Sequence, residues 1–372
     1  MVKITLLLFW QTIMKLFDNL IENSYIARYF LLNAVDITDH TVFPSRPIQN
    51  AAANFHFAPP LSTGSGPDLP GYNGENLEAF LRRSGTTAFL IVQGDKLLAE
   101  QYFNGCERTS ICTSFSVAKS FVSALVGIAL YDKLIRGLDD PVNAYLTELP
   151  ASPWAQISLR HLVGMCSGLG YNLSGFFPWN DEPRVYYSPN LRRLAAHAKQ
   201  VEAPGLHFHY NNYNLVLLGM VLERVTGGSV SAYLQEKLWQ PLGMEYPASW
   251  SLDSRNSGME KMESGLNARA IDFARFGRLY LRRGDWQGKQ VIPESWVAES
   301  TTIEPGAKWS NYKYLWWMSR SGKGRFTAVG NLGQFIFVAP DKNCVILRFG
   351  RGKPADWKRV YPQLFGAIAD AL

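Results

Sequence analysis

Ser116 and Lys119 stand three residues apart in the stretch TSFSVAKSFVSALVGIAL, where an apolar run predicts a helix from about Ser116 to Ile135. That spacing puts both side chains on one helical face. A serine hydroxyl is a weak nucleophile and needs a base to take its proton. A lysine amine, with an ordinary pKa of about 10.4, serves as that base only where an apolar wall and the positive helix end favour its neutral form. A serine at a helix start also presents its own backbone N–H to a reacting carbonyl, as one donor of an oxyanion hole. The chemistry this pair predicts is acyl transfer through a covalent ester on Ser116.

The spacing alone is cheap, because Ser310 to Lys313 (SNYK) repeats it in a polar, aromatic stretch that opens no helix. Other nucleophiles fit less well. Gly164 to Gly168 (GMCSG) has the form of an elbow around Cys166, yet an elbow needs a strand before it and a helix after it. This one follows the helical stretch LRHLVG and enters a loop. The six histidines include His207 and His209 beside Tyr210, but no G-x-S-x-G motif exists to complete a Ser-His-Asp triad. The four cysteines form no CxxC pair and no Cys/His cluster with zinc spacing, so they read as buried free thiols. No metal or organic cofactor is implied.

The elements that must position these groups follow from patterning. The chain has 372 residues, 47% hydrophobic and 18% charged, enough for a large core. Its net charge is +6, with Lys and Arg scattered rather than blocked, which argues against nucleic acid as a partner. Residues 1 to 76 read as an apolar, partly helical leader followed by an extended wrapping loop rich in Pro, Gly, Ser and Asn. Within it, Ile4 to Met14 is too short to span a bilayer. Residues 1–20 therefore predict a packed helix in a cytoplasmic protein or a peripheral membrane contact.

Residues 77 to 372 form the compact part. A hairpin is expected over Thr86–Phe103, turning at Gly94-Asp95. Helices are expected in the NLVLLGMVLERVTG stretch, over Ala270–Arg283 and over Val360–Leu372, and a second hairpin turns at Asp341 to Asn343. Strands at both ends with helices between predict an α+β fold: a central antiparallel sheet flanked by helices, with a helical subdomain inserted at roughly 150–290.

Taken together, S-x-x-K at the start of the core helix after a hairpin resembles the serine β-lactamase and penicillin-binding-protein superfamily. More narrowly it is similar to the branch of class C β-lactamases, esterases and 6-aminohexanoate-oligomer hydrolases. Leu162 to Leu169 (LVGMCSGL), Pro204 to Asn212 (PGLHFHYNN) and Gly330 to Pro340 (GNLGQFIFVAP) resemble further stretches of that branch. The likeness covers about Leu77 to Leu372 and implies a β-lactamase/transpeptidase-like fold. It implies that Tyr210 shuttles protons with Lys119, and that Asn212 orients Lys119 and contacts the substrate. It implies that Tyr171 bonds the scissile amide and that Glu263 binds a cationic or amide end of a substrate. The third element of the family is usually Lys or His, then Thr or Ser, then Gly; here it reads Asn331, Leu332, Gly333. The cation and hydroxyl that hold a β-lactam carboxylate are absent, while Gly333 lets the strand edge approach a ligand and the N–H of Gln334 serves as second oxyanion donor. Trp179, Phe208, Trp316 and Trp317 predict an aromatic pocket. The expected substrates are small esters, amides or short peptides. The rival expectation is a sensor or binding protein that acylates without turnover.

Overall fold

The central strands of the larger sheet are buried and mostly apolar along nearly their whole length, because both of their faces are covered. The computed structural model describes residues 23–32, 34–52, 55–59, 69–175, 177–303, 311–319 and 321–372. Ile4–Met14 and Ser310 lie outside them. In chain order the strands of the two larger sheets are β1 (Ser45–Ile48), β2 (Thr86–Gln93), β3 (Lys96–Tyr102), β4 (Ile111–Thr113), β5 (Ala248–Ser251), β6 (Leu266–Arg269), β7 (Tyr312–Lys313), β8 (Trp316–Met318), β9 (Phe326–Gly330), β10 (Gln334–Ala339) and β11 (Cys344–Gly350); a short hairpin pairs Asp285–Trp286 with Lys289–Gln290. The helices used below are α1 (Tyr25–Leu31), α2 (Ala118–Tyr131), α3 (Asp181–Tyr187), α4 (Asn212–Thr226), α5 (Ala270–Leu281) and α6 (Trp357–Ala371).

Among the described residues the larger sheet has seven strands in the order β3-β2-β11-β10-β9-β8-β7, every neighbour antiparallel. Side chains alternate across it with period two. Ala88, Leu90 and Val92 of β2 enter the main core with α2 and α5, while Phe89 and Ile91 pack beneath α6. The two hairpins, the sheet made from both chain ends, α4 and α5 are as the sequence predicts.

Two differences concern the site. The core helix starts at Ala118, and Ser116 sits just before it in a 3-10 turn over Phe115–Val117. It also stops at Tyr131 rather than Ile135. The chain turns there through Lys133 in the left-handed region, and the N–H groups of Leu134 and Ile135 both point to the Ala129 carbonyl.

The second difference is a four-stranded sheet, β1-β5-β6-β4. β5 and β6 lie within residues 150–290, where helices alone were expected. β1 lies in the stretch read as a wrapping loop, and Phe55 and Phe57 of that stretch are buried too. Four-residue strands carry too little alternation to be legible. β1 also contains Pro47, which only an edge strand tolerates, and β1 is the edge. Ile48, fully buried, is its anchor. Ile48→Ala should cost about 2–5 kcal/mol in urea unfolding; a loss below the error of the method would mean that β1 is not part of the cooperative core.

Candidate active site

The helix α2 is apolar on all sides and buried along almost its whole length, so a lysine in its first turn is carried into the core. Lys119 is 1% exposed. Its Nζ donates to Ser116 Oγ at 2.7 Å and to the Glu263 carbonyl at 2.8 Å. Ser116 itself is half-buried at the base of a cleft. The residue before it, Phe115, has φ +45°, an uncommon conformation for a non-glycine residue and one that costs energy to hold. That turn aims Ser116 out of the core while Phe115 stays within it.

The cleft has a volume of about 250 Å³. Ser116, Asn331 and Asn212 line it, with the carboxylates of Glu182 and Glu263 and the side chains of Val35, Val185 and Tyr186. Tyr210 stands beside Lys119, whose Nζ is 5.0 Å from the ring centroid. Tyr210 packs with Tyr312 and Trp317, next to Phe208. Of the expected aromatic pocket, then, Phe208 and Trp317 surround Tyr210. Trp316 is fully buried in the core and Trp179 is exposed, stacked on Phe177.

Asn212 and Tyr171 form a linked pair. Asn212 Nδ2 donates to the Tyr171 hydroxyl and to Glu182 Oε2, both at 3.0 Å, and Tyr171 donates to the same Glu182 oxygen at 2.7 Å. Burial, then the Glu182 charge, push the Tyr171 hydroxyl well above its ordinary pKa, so it acts as a fixed donor. Tyr171 is not itself part of the cleft lining; it reaches the cleft through Glu182 and Asn212. Asn212 Oδ1 is buried with no protein hydrogen-bond partner.

Glu263 is 3% exposed. Its Oε1 accepts from Ser264 Oγ at 2.8 Å and lies 3.4 Å from Lys261 Nζ, while its Oε2 has no protein partner. Lys261 is buried between the rings of Phe43 and Tyr186, and burial holds its pKa below the ordinary lysine value, partly opposed by Glu263. Glu182, Tyr186 and Lys261 were not singled out from the sequence. The only signal was the proximity of Lys261 to Glu263 in KMES.

The third element departs from expectation. Gln334 is fully buried and pairs with Gly330 across the hairpin. Its side chain bonds both main-chain groups of Gly350 and the Asn331 carbonyl. It does not line the cleft; Asn331 does. Among the described residues no protein acceptor takes the backbone N–H of Ser116 or of Asn331. Of Asn331 and Gln334, Asn331 is the one whose backbone N–H stands at the cleft together with that of Ser116. Gly333 does not line the cleft either. It has φ +80°, and a Cβ there would meet Arg348 Nη1 at 2.5 Å. The glycine that permits close approach to the site is Gly330, where a Cβ would meet the Ser114 carbonyl at 2.5 Å. Leu332 is not in the cleft lining and packs against the cluster of Phe115 and Phe43.

Arg348 is what holds this turn. It is fully buried, lies over Tyr361 and donates to the carbonyls of Leu332, Gly333, Ser84 and Gly352 and to Thr86 Oγ1. Burial lowers its pKa to about 10.

Cys166 is buried, and burial pushes its thiol up to about 11, which disfavours a nucleophilic thiolate. His207 pairs with Glu202 at the surface, and His161 caps its own helix with Ser158. Lys313 of the second S-x-x-K lies over Tyr314 on the edge strand β7. Among the described residues no group of three His, Cys, Asp or Glu is placed to hold a metal ion.

Comparison with known proteins agrees with this geometry. The Beta-lactamase family model matches residues 75–365. The chain is 26% identical over 317 residues to a 6-aminohexanoate-dimer hydrolase of Paenarthrobacter ureafaciens, covering 79% of this chain and 80% of that one. It is 34% identical over 149 residues to esterase EstB of Burkholderia gladioli, covering 36% of this chain and 37% of that protein. A solved 6-aminohexanoate-dimer hydrolase-like protein from Bacillus anthracis superposes with a TM-score of 0.80 at 24% identity, over 94% of this chain and 96% of its own.

Replacing Arg348 by methionine leaves four carbonyls without their donor, two of them in buried hydrogen bonds. Arg348→Met should lower unfolding free energy by roughly 3 kcal/mol or more, read by denaturant titration; an unchanged midpoint would show that the guanidinium does not hold the turn.

Proposed function

This chain belongs to the beta-lactamase family and is a hydrolase, and from that premise we propose that it cleaves a small ester, amide or short peptide through a covalent acyl-Ser116 intermediate. The observation that carries this reading is the 2.7 Å contact between Lys119 Nζ and Ser116 Oγ at the base of a cleft.

In its neutral form Lys119 accepts the hydroxyl proton as Ser116 Oγ bonds to the substrate carbonyl carbon. The carbonyl oxygen takes the electron pair and lies between the N–H groups of Ser116 and Asn331, which stabilise it. The Tyr210 phenol, beside Lys119, protonates the departing amine or alcohol as the C–N or C–O bond breaks, and regains its proton from Lys119. Water then attacks the ester carbonyl, gives up a proton to the same pair, and releases a carboxylic acid with Ser116 restored. Asn212 holds its amide toward this centre through Glu182 and Tyr171. The unpaired Oε2 of Glu263, beside Glu182, favours a substrate with a cationic or amide end in the cleft. Asn331 and Leu332 offer no cation and hydroxyl for a β-lactam carboxylate, which favours linear substrates.

Intact-mass measurement with a fluorophosphonate should add one label per wild-type chain and none to Ser116→Ala, and p-nitrophenyl esters should turn over only with wild type. A wild-type chain that takes no label and turns over no ester would sink the reading. A label-like acyl adduct that persists without turnover would assign the non-hydrolytic acyl-binding role instead. Lys119→Ala and Tyr210→Phe should each reduce kcat by roughly 10²–10⁴-fold. Asn331→Ala keeps its backbone N–H, so its kcat should stay within a few-fold of wild type; a loss approaching the 10²–10³-fold typical of a missing oxyanion donor would mean that the Asn331 side chain does the binding.

A further inference from the structure

The N-terminal segment that lies outside the family match closes one side of the cleft. Ala34 and Val35 line it together with Ser116, Asn331 and the α3 residues Val185 and Tyr186. Residues 34 and 35 are suspended between two anchors. On one side the Tyr187 hydroxyl donates to the Leu32 carbonyl at 3.1 Å. On the other, Thr113 Oγ1 donates to the Ile37 carbonyl at 2.8 Å, and the Tyr186 hydroxyl donates to Asp39 Oδ2 at 2.5 Å. Tyr186 belongs to the cleft wall at α3, Tyr187 follows it on the same helix outside the lining, and Thr113 lies three residues before Ser116. The segment thus bridges the two banks of the cleft.

It is anchored further back as well. The buried Arg28 of α1 donates to the carbonyls of Asp253, Tyr187 and Ser188. Val35 itself is half-buried and packs in one cluster with Phe115, which precedes the nucleophile, and Leu332, which follows Asn331. A side chain so placed meets the far end of whatever group is bonded to Ser116, and it is neither donor nor acceptor for any step of the acylation.

We propose that Val35, with Ala34 at the mouth, is the specificity-determining wall that limits the length of the substrate group admitted beside Ser116. This rests on the serine hydrolase reading above. The wall is apolar and fixed by hydrogen bonds at both ends, so it discriminates by size. One methylene too many in such a pocket costs roughly 10–200-fold in kcat/KM.

The test compares wild type, Val35→Ala and Val35→Phe on p-nitrophenyl esters from acetate to octanoate. In parallel it measures the rate at which alkyl fluorophosphonates of the same chain lengths label Ser116 by intact mass. Val35→Ala should move the preferred length upward, and Val35→Phe should cut the longer acyl groups at least tenfold while acetate stays within about threefold. Tyr187→Phe, which frees Leu32, should flatten the length profile without lowering acetate turnover. Identical length profiles in wild type and both Val35 variants, with acetate turnover and labelling intact, would overturn the wall. Absence of label and of turnover from wild type at every chain length would instead overturn the hydrolase reading.

Discussion

A lysine amine buried in an apolar helix, with a serine hydroxyl and one main-chain carbonyl within reach, is the constraint on which this molecule turns. Taking Lys119 out of water is costly unless its donors are satisfied. Ser116 Oγ and the Glu263 carbonyl satisfy two of them. That requirement fixes where the 3-10 turn must stop and α2 must start. It also fixes where the loop carrying Glu263 must pass. The uncommon backbone at Phe115 is held because the buried helix on one side and the aromatic cluster on the other leave no alternative.

The cleft above this pair is charged in an uneven way. Glu182 and Glu263 line it, and the buried Lys261 donates to the Tyr186 carbonyl and lies 3.4 Å from Glu263 Oε1. The lysine offsets part of the acidic charge from inside and leaves Glu263 Oε2 without a protein partner. Arg348 plays a comparable part on the other side. It holds the turn after Asn331 through carbonyls alone, so the proposed oxyanion donor is set by a residue that never meets solvent.

Much of this was legible in the sequence where the signal was local. The helix following Ser116, the two hairpins and the α4 helix announce themselves by apolar periodicity and turn residues. Ser116, Lys119, Tyr210 and Asn212 gather around one region, as the family resemblance implied. What was not legible depended on distant partners. That Arg348, from the neighbouring strand, packs against Gly333 could not be read locally. Nor could the hairpin register that turns the Gln334 side chain toward Gly350. The second sheet is invisible because its strands are three or four residues long and one contains proline. Val35 carries no motif, and only the fold brings it to the site.

The larger sheet joins β2 to β11, pairing Gln93 with Cys344 and Ala88 with Phe349 across about 250 residues of chain. Such a pairing closes a long loop before it gains any contact, so it forms slowly and after the local helices. During synthesis the N-terminal half emerges first. Ser116 and Lys119 are then made well before Asn331 exists to face them. Ser116 and the turn at Asn331 therefore meet only at the last stage of folding, and a growing chain carries Ser116 and Lys119 before the cleft around them exists.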